Sequence, residues 1–181
     1  MPTTPWQVDL AHSSLSFTVR HMMVSKVRGH FRRFRAQLDL DLDAALLAAS
    51  RVEASVEVAS IDTGAPDRDT HLRSADFFDV ETFPELTFRS TRVTPHGKER
   101  FTLTGELSMH GVTREVTLEG QVGGRGKDPW GNERAGFSAT THLNRKDFGL
   151  QWNQALETGG VLVSERVDVE LDIQAFRPAS R

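Results

Sequence analysis

Apolar and polar residues alternate with a period of two along most of the chain, the signature of strands that bury one face. Leu15, Phe17 and Val19 share one face, with Ser14, Ser16 and Thr18 on the other. Val52, Ala54, Val56 and Val58 repeat the pattern, as do Phe101, Leu103, Gly105, Leu107 and Met109. Val116, Leu118, Gly120 and Val122 follow, then Phe137, Ala139, Thr141 and Leu143, and last Val167, Val169, Leu171 and Ile173. Two further strands are read over Val27–Leu42 and Leu86–Val93. In the first of these the apolar phase slips, from Val27, Gly29 and Phe31 to Phe34, Ala36, Leu38 and Leu40. A one-residue slip turns the wrong face inward, so a bulge is expected near Arg32–Arg33. Eight main strands result, with Trp6–Asp9 as a short extension ahead of the first.

Turn-forming residues punctuate these strands at Pro95–Lys98, at His110-Gly111 and through the glycine-rich stretch Gly123–Gly131. Asp43–Ser50 is expected to form a short helical turn capped by Asp43, and Asp67–Phe77 a second helix. The fold expected is all-β: an eight-stranded extended antiparallel barrel, with one or two short helices as a lid. Closure into an up-and-down barrel is the best way to remove exposed strand edges. A barrel of this strand number can enclose one small ligand. Ten residues over Arg100–Met109 span roughly 33 Å, so the interior would be a tunnel rather than a bowl. Small inward residues (Ala54, Gly105, Gly120, Ala139) would leave room inside it. Pattern alone equally admits a two-sheet sandwich whose large residues fill that room.

A length of 181 residues suits one domain spanning 1–181, burying roughly 70% of the unfolded chain's surface. The net charge of -3 gives no basic stripe, so no nucleic-acid partner is expected. The cluster Arg28, His30, Arg32, Arg33, Arg35 alternates with Gly29, Phe31 and Phe34 and reads as the outer face of one strand. Without cysteine there is no disulfide, thiolate metal site or Cys nucleophile. No apolar run approaches the roughly 18 residues of a membrane span. The amino-terminal residues of the sequence have no signal-peptide pattern, which points to a cytoplasmic protein.

One stretch breaks the alternation. Arg68–Pro84 carries charge at its front and Phe77, Phe78 and Phe83 at its back, as a lid over the open end of a β structure would. Asp9, His12, Ser13 and Ser14 invite comparison with a catalytic triad. Proximity in sequence supplies no triad geometry, and no Gly-x-Ser-x-Gly elbow exists, so the residues favour a hydrogen-bonded turn. The seven histidines contain neither a His-x-His nor a His-x-x-x-His pair, so no metal site is assigned. His12, His21 and His71 read instead as satisfied polar groups near a barrel end. His21 continues the inward phase of Leu15, Phe17 and Val19, and an inward polar residue needs a partner.

The chain resembles the YceI-like family of small lipid-binding proteins, also called polyisoprenoid-binding proteins. The resemblance rests on Trp6-x-x-Asp9-x-x-His12-Ser13, Phe17-x-Val19-x-His21, Val27-x-Gly29-x-Phe31, and above all the block from Arg68-Asp69-x-His71-Leu72-Arg73-Ser74 to Asp76-Phe77-Phe78-Asp79. Phe83-Pro84, Phe88-x-Ser90, Gly105-x-Leu107, Gly111-Val112-Thr113 and Arg145-x-Asp147-Phe148-Gly149 continue it in order. It implies a lipocalin-like barrel with a long amphiphile threaded through it: an isoprenoid quinone, a prenyl phenol or a fatty-acyl compound. It also implies non-covalent storage or transport rather than a reaction. No cofactor is expected beyond the bound polyisoprenoid or other long-chain lipid.

On that reading the expected ligand contacts are Leu15, Phe17, Val19, His21, Phe88, Leu103, Phe137 and Leu143 in the strands. Phe77, Phe78, Phe148 and Trp152 are expected outside them. Arg68, Asp69, His71, Arg73 and Asp76 form either a salt-bridged network that fixes the lid or a headgroup site, and the network is preferred. Trp130 and Trp152 are read as mouth residues and Trp6 as a plug in the barrel base. The alternatives are a lipid isomerase or cyclase with His21 as its acid or base, and a stress-linked interaction protein with a dry core. No catalytic residue is assigned. Transient membrane contact and a homodimer are both compatible with the residues.

Overall fold

The computed structural model describes residues 5–43, 47–154, 156 and 162–179. Among them eleven strands form one curled antiparallel sheet. In chain order they are β1 (Gln7–Val8), β2 (Ser14–His21), β3 (Ser25–Phe31), β4 (Phe34–Asp39), β5 (Arg51–Glu57) and β6 (Ile61–Asp62). The helix α1 (Pro66–Arg73) follows, then β7 (Glu85–His96), β8 (Arg100–Met109), β9 (Val112–Lys127), β10 (Glu133–Asn144) and β11 (Arg166–Arg177). The sheet runs β4-β5-β7-β8-β9-β10-β11-β2-β3-β6, with β1 added on β11.

The count exceeds the expected eight, and the phase slip in Val27–Leu42 is one reason. The chain there does not bulge within one strand. It turns a corner at Arg32–Arg33, so that β3 pairs with β2 and β6 while β4 pairs with β5. The second reason is a similar break after β5, where a 3-10 turn at Val58–Ser60 precedes β6. Backbone bonds hold the two corners together: Arg32 N donates to Ser60 O and Glu57 N to Arg33 O. They bring the two ends of the strand order face to face. Each corner lets the apolar face stay inward as the sheet curls, which one straight strand with a slipped phase could not do.

Three apolar clusters line the inside. Leu103, Leu107, Met109, Val116, Leu118 and Phe148 belong to the largest. Phe31, Val56, Val58 and Ile61 form a second beneath the helix, joined by Leu72 and Phe78. Trp6, Leu38, Ala135 and Ala175 form the third, at the end of the sheet where β10 begins and β11 finishes. Trp6 is tied there by Trp6 N donating to Leu38 O at 3.0 Å, and its ring lies under the Arg177 guanidinium at 5.1 Å.

One of the two expected helices is shorter than read. The lid helix covers Pro66–Arg73 only, with Pro66 in its first turn. It stops at Ser74, whose hydroxyl donates to the His71 carbonyl at 2.6 Å. Of Asp43–Ser50 the structure describes a 3-10 turn at Leu47–Ala49. Residues 44–46 lie outside the described residues, and with them the helical turn expected after an Asp43 cap.

Candidate ligand-binding cavity

The curled sheet encloses a cavity of about 390 Å³, within the range of small-molecule sites. Its wall is built by the inward positions of the alternating strands. Leu15, Phe17, Val19, Phe88, Leu103 and Leu143 all face it, as do Phe77, Phe78, Trp152 and His21. Two expected contacts lie elsewhere. Phe137 packs against the Trp6 cluster, and Phe148, 2% exposed, is sealed in the large core cluster behind the wall. Phe137 sits nearer the plugged end, and Phe148 ends a 3-10 turn outside the sheet.

Of the small inward residues expected to leave room, Ala54 lines the cavity, whereas Gly105 and Gly120 are each covered, as is Gly29. A ring from the neighbouring strand lies over each of three glycines. A Cβ on Gly29 would stand 2.3 Å from Phe17, one on Gly105 2.5 Å from Phe88, and one on Gly120 2.3 Å from Phe101. Each glycine thus gives its space to the ring of a neighbouring strand.

The two ends of the cavity differ. Val8, Ala36, Leu38 and Val52 belong both to its wall and to the Trp6 cluster, so that end is stopped by apolar packing. The opposite end is ringed by Arg20, His21, Thr63, Arg68, His71 and Arg145. Arg20 is exposed, so this end meets solvent. No Asp or Glu lines the cavity among the described residues. The lining is therefore apolar along its length and rich in hydrogen-bond donors at one rim.

Each rim residue is fixed by local chemistry. Arg68 donates from Nε to Thr63 Oγ1 and from Nη2 to the Thr63 carbonyl, both at 2.7 Å. The buried carboxylate of Asp69 accepts from Thr63 N at 2.9 Å and from its hydroxyl at 2.5 Å. Arg73 donates to the carbonyls of Ala59 and Ile61, pinning the helix onto the corner before β6. His71 meets Asp76 at 2.9 Å and packs edge-on against Phe77 and Trp152. The five lid residues thus include a single imidazole–carboxylate contact, His71–Asp76. The rest of the network is side chain to backbone and to Thr63, which corrects the expected salt-bridged arrangement. A carbonyl accepts without carrying a competing charge, so these bonds fix geometry at low desolvation cost.

Arg145 has no assigned role in the sequence reading, and the structure gives it one. It is 4% exposed and donates to the carbonyls of Leu150, Trp152, Ser164 and Val163. Its guanidinium also sits 6.0 Å from the Phe77 ring. Burial pushes it below its ordinary range, with the charge of Glu165 opposing that shift. A buried arginine satisfied by carbonyls alone holds the Trp152 segment against the rim. The only sequence signal for it is its place in the Arg145-x-Asp147-Phe148-Gly149 motif.

His21 lies at the same rim, where its backbone bridges to Val163. Its imidazole is half-buried and has no hydrogen-bond partner among the described residues. No carboxylate orients it, as a general base requires. Asp9 and His12 do meet, at 3.0 Å, but the Ser13 hydroxyl donates to the carbonyls of Asp9 and Gln174 rather than approaching the imidazole. That geometry is a strand-entry turn. Trp130 is 77% exposed on the β9–β10 turn and does not line the cavity, which corrects its reading as a mouth residue.

The fold and site define a class: a curled all-β sheet around an apolar bore, stopped at one end and ringed with donors at the other. The pattern described as the YceI-like domain matches residues 6–175, and the chain belongs to that family. A UPF0312 protein of Vibrio cholerae serotype O1 is 38% identical over 167 residues, covering 92% of this chain and 83% of that protein. The crystal structure of Burkholderia cenocepacia BcnA superposes with a TM-score of 0.80 at 26% identity, covering 92% of this chain and 98% of that one. A polyisoprenoid binding domain from Saccharophagus degradans, implicated in plant cell wall breakdown, shares the fold with a TM-score of 0.71 at 14% identity. It covers 97% of this chain and 100% of that one.

Proposed function

We propose that the protein binds one long-chain amphiphile without transforming it and stores or carries it. The tail lies in the bore and the head at the rim. The observation that carries this reading is the cavity lining: largely apolar, with Arg20, His21, Arg68 and His71 at one end and no acid among the described lining residues. A head that accepts hydrogen bonds suits such a rim, which favours quinone carbonyls, a phenolic oxygen or an acyl carbonyl over an amine. The relative in fold described as a polyisoprenoid binding domain supports an isoprenoid tail.

Each methylene buried contributes about 0.8 kcal/mol, and ordering and desolvation costs offset much of the sum over a long tail. Selection among tails is accordingly coarse, because an apolar bore discriminates weakly between chains differing by one methylene. The test is uptake of a prenyl quinone from detergent micelles by delipidated protein, read by native mass spectrometry. One quinone per chain is expected. Failure to take up prenyl quinones, prenyl phenols and fatty-acyl amides alike overturns the reading.

A further inference from the structure

The hairpin joining β2 to β3 lies at the donor-ringed end of the bore, beside His21. Val24 N donates to His21 O at 3.1 Å, and Met22 and Met23 have φ of 55° and 63°. The register pairs His21 with Ser25, so Met22–Val24 is a three-residue loop whose first two positions are left-handed, a conformation that favours Asn and Gly. Methionine is a poor choice on backbone grounds. The neighbouring hairpin at the same end, His110-Gly111, does place glycine second and tucks it under the Phe83 ring. Among the described residues the Met22–Val24 tip packs under nothing comparable. Met22 is 48% exposed, Met23 56% and Val24 83%. Large apolar side chains have been kept in a strained, solvent-facing turn, which points to something outside the molecule that they meet.

Charge indicates what that is. The outer face of the same hairpin carries Arg20 directly opposite Lys26, with Arg28 two residues further along. Like charges face each other there, and none of the three has an ion pair among the described residues. The other arginines of this region are neutralised: Arg32 by Asp62, Arg33 by Glu57 and Arg35 by Glu85. The acidic row on β11 starts at Asp168, level with Arg28 across Thr18 and paired with Arg166, and continues away from the tip with Glu170 and Asp172. Apolar residues at the apex with the unpaired cations Arg20 and Lys26 directly behind them, ahead of every acid of the β11 row, match the layers of a bilayer that exposes anionic headgroups.

We propose that Met22, Met23 and Val24 insert into the interface of an anionic bilayer, with Arg20, Lys26 and Arg28 against its headgroups, so that the rim faces the membrane. The purpose of this docking, loading and unloading of the bore, rests on the reading above. The docking itself does not.

The experiment is co-sedimentation of the full chain with vesicles of phosphatidylcholine alone and of phosphatidylcholine mixed with phosphatidylglycerol. The wild type should prefer the anionic vesicles and release on raising the salt. Met22→Asn/Met23→Gly supplies the residues the turn prefers, so it should melt no lower than wild type yet bind at least about tenfold more weakly. Lys26→Gln/Arg28→Gln should bind about 30-fold more weakly. Equal binding to both vesicle types, or undiminished binding by the folded Met22→Asn/Met23→Gly protein, overturns the proposal. Micelle uptake reads the bore separately: a wild type that docks but takes up no lipid refutes the carrier reading alone. The Met22→Asn/Met23→Gly protein should load from micelles as wild type does and more slowly from vesicles.

Discussion

A Cβ on Gly29 would lie 2.3, 2.8 and 2.9 Å from three atoms of the Phe17 ring, the cross-strand partner of this glycine. The ring is a flexible end, so Gly29→Ala should fold, with Phe17 turned off the wall into the bore. The cost in stability is about 1–3 kcal/mol, typical of an overpacked core. Lipid uptake should fall more sharply than stability, because the displaced ring occupies the space of the tail. Denaturant unfolding and micelle uptake measured together check this, and uptake equal to wild type would contradict it. The inward position of Phe17 was readable from alternation alone. That its ring would lie over a glycine on the next strand was not, since the register that pairs them is a property of the folded sheet. Arg145 was hidden for a related reason: its partners are backbone carbonyls, which every residue has and no motif marks.

At the scale of elements, the β9–β10 turn is fastened to the amino-terminal segment through Arg134, which meets Asp128 and Asp9, each at 2.9 Å. Burial acts to raise the Asp128 carboxyl, but hydrogen bonds from Asn132, Arg134 and the backbone of Asn132 and Trp130 prevail and hold it at about 2. The bond from Arg134 likewise lowers Asp9, against burial and with help from His12. A carboxylate depressed in the folded state stabilises fully above its unfolded value near 3.8 and loses that contribution as pH falls through the folded value. Stability should therefore drop between about pH 4 and pH 2. Asp128→Asn should drop less steeply over that interval in chemical denaturation, and parallel curves would exclude the tie as a cause. Alternation made the long strands legible, together with their apolar faces. It could not separate a bulge from a corner at Arg32–Arg33, because both repair the same phase slip and only tertiary pairing decides between them. The lid helix ran short of its expected end for a comparable reason: the Ser74 hydroxyl competes for the carbonyl that the next turn needs.

For the whole molecule, an empty apolar bore is a standing loss of contacts that a tail would restore. Saturation with prenyl quinone at about a hundredfold over Kd should add about 2.7 kcal/mol of stability. For a domain of this size that raises Tm by roughly 5–10 °C. Scanning calorimetry of delipidated and loaded protein measures it, and an unchanged Tm with quinone demonstrably bound would show that the unfolded chain holds it equally well. That a hollow exists at all lay beyond the pattern of residues, which suits a filled sandwich just as well. The hollow follows from the curl of the sheet.

The Trp6 stopper has one more consequence. A vessel with a single doorway is a vial rather than a pipe: whatever enters tail-first must leave head-first by the way it came. If the protein carries lipid as proposed, giver and receiver cannot be served at the same moment, and delivery would alternate between visits. An excess of empty acceptor would then speed emptying only as far as departure from the first port allows.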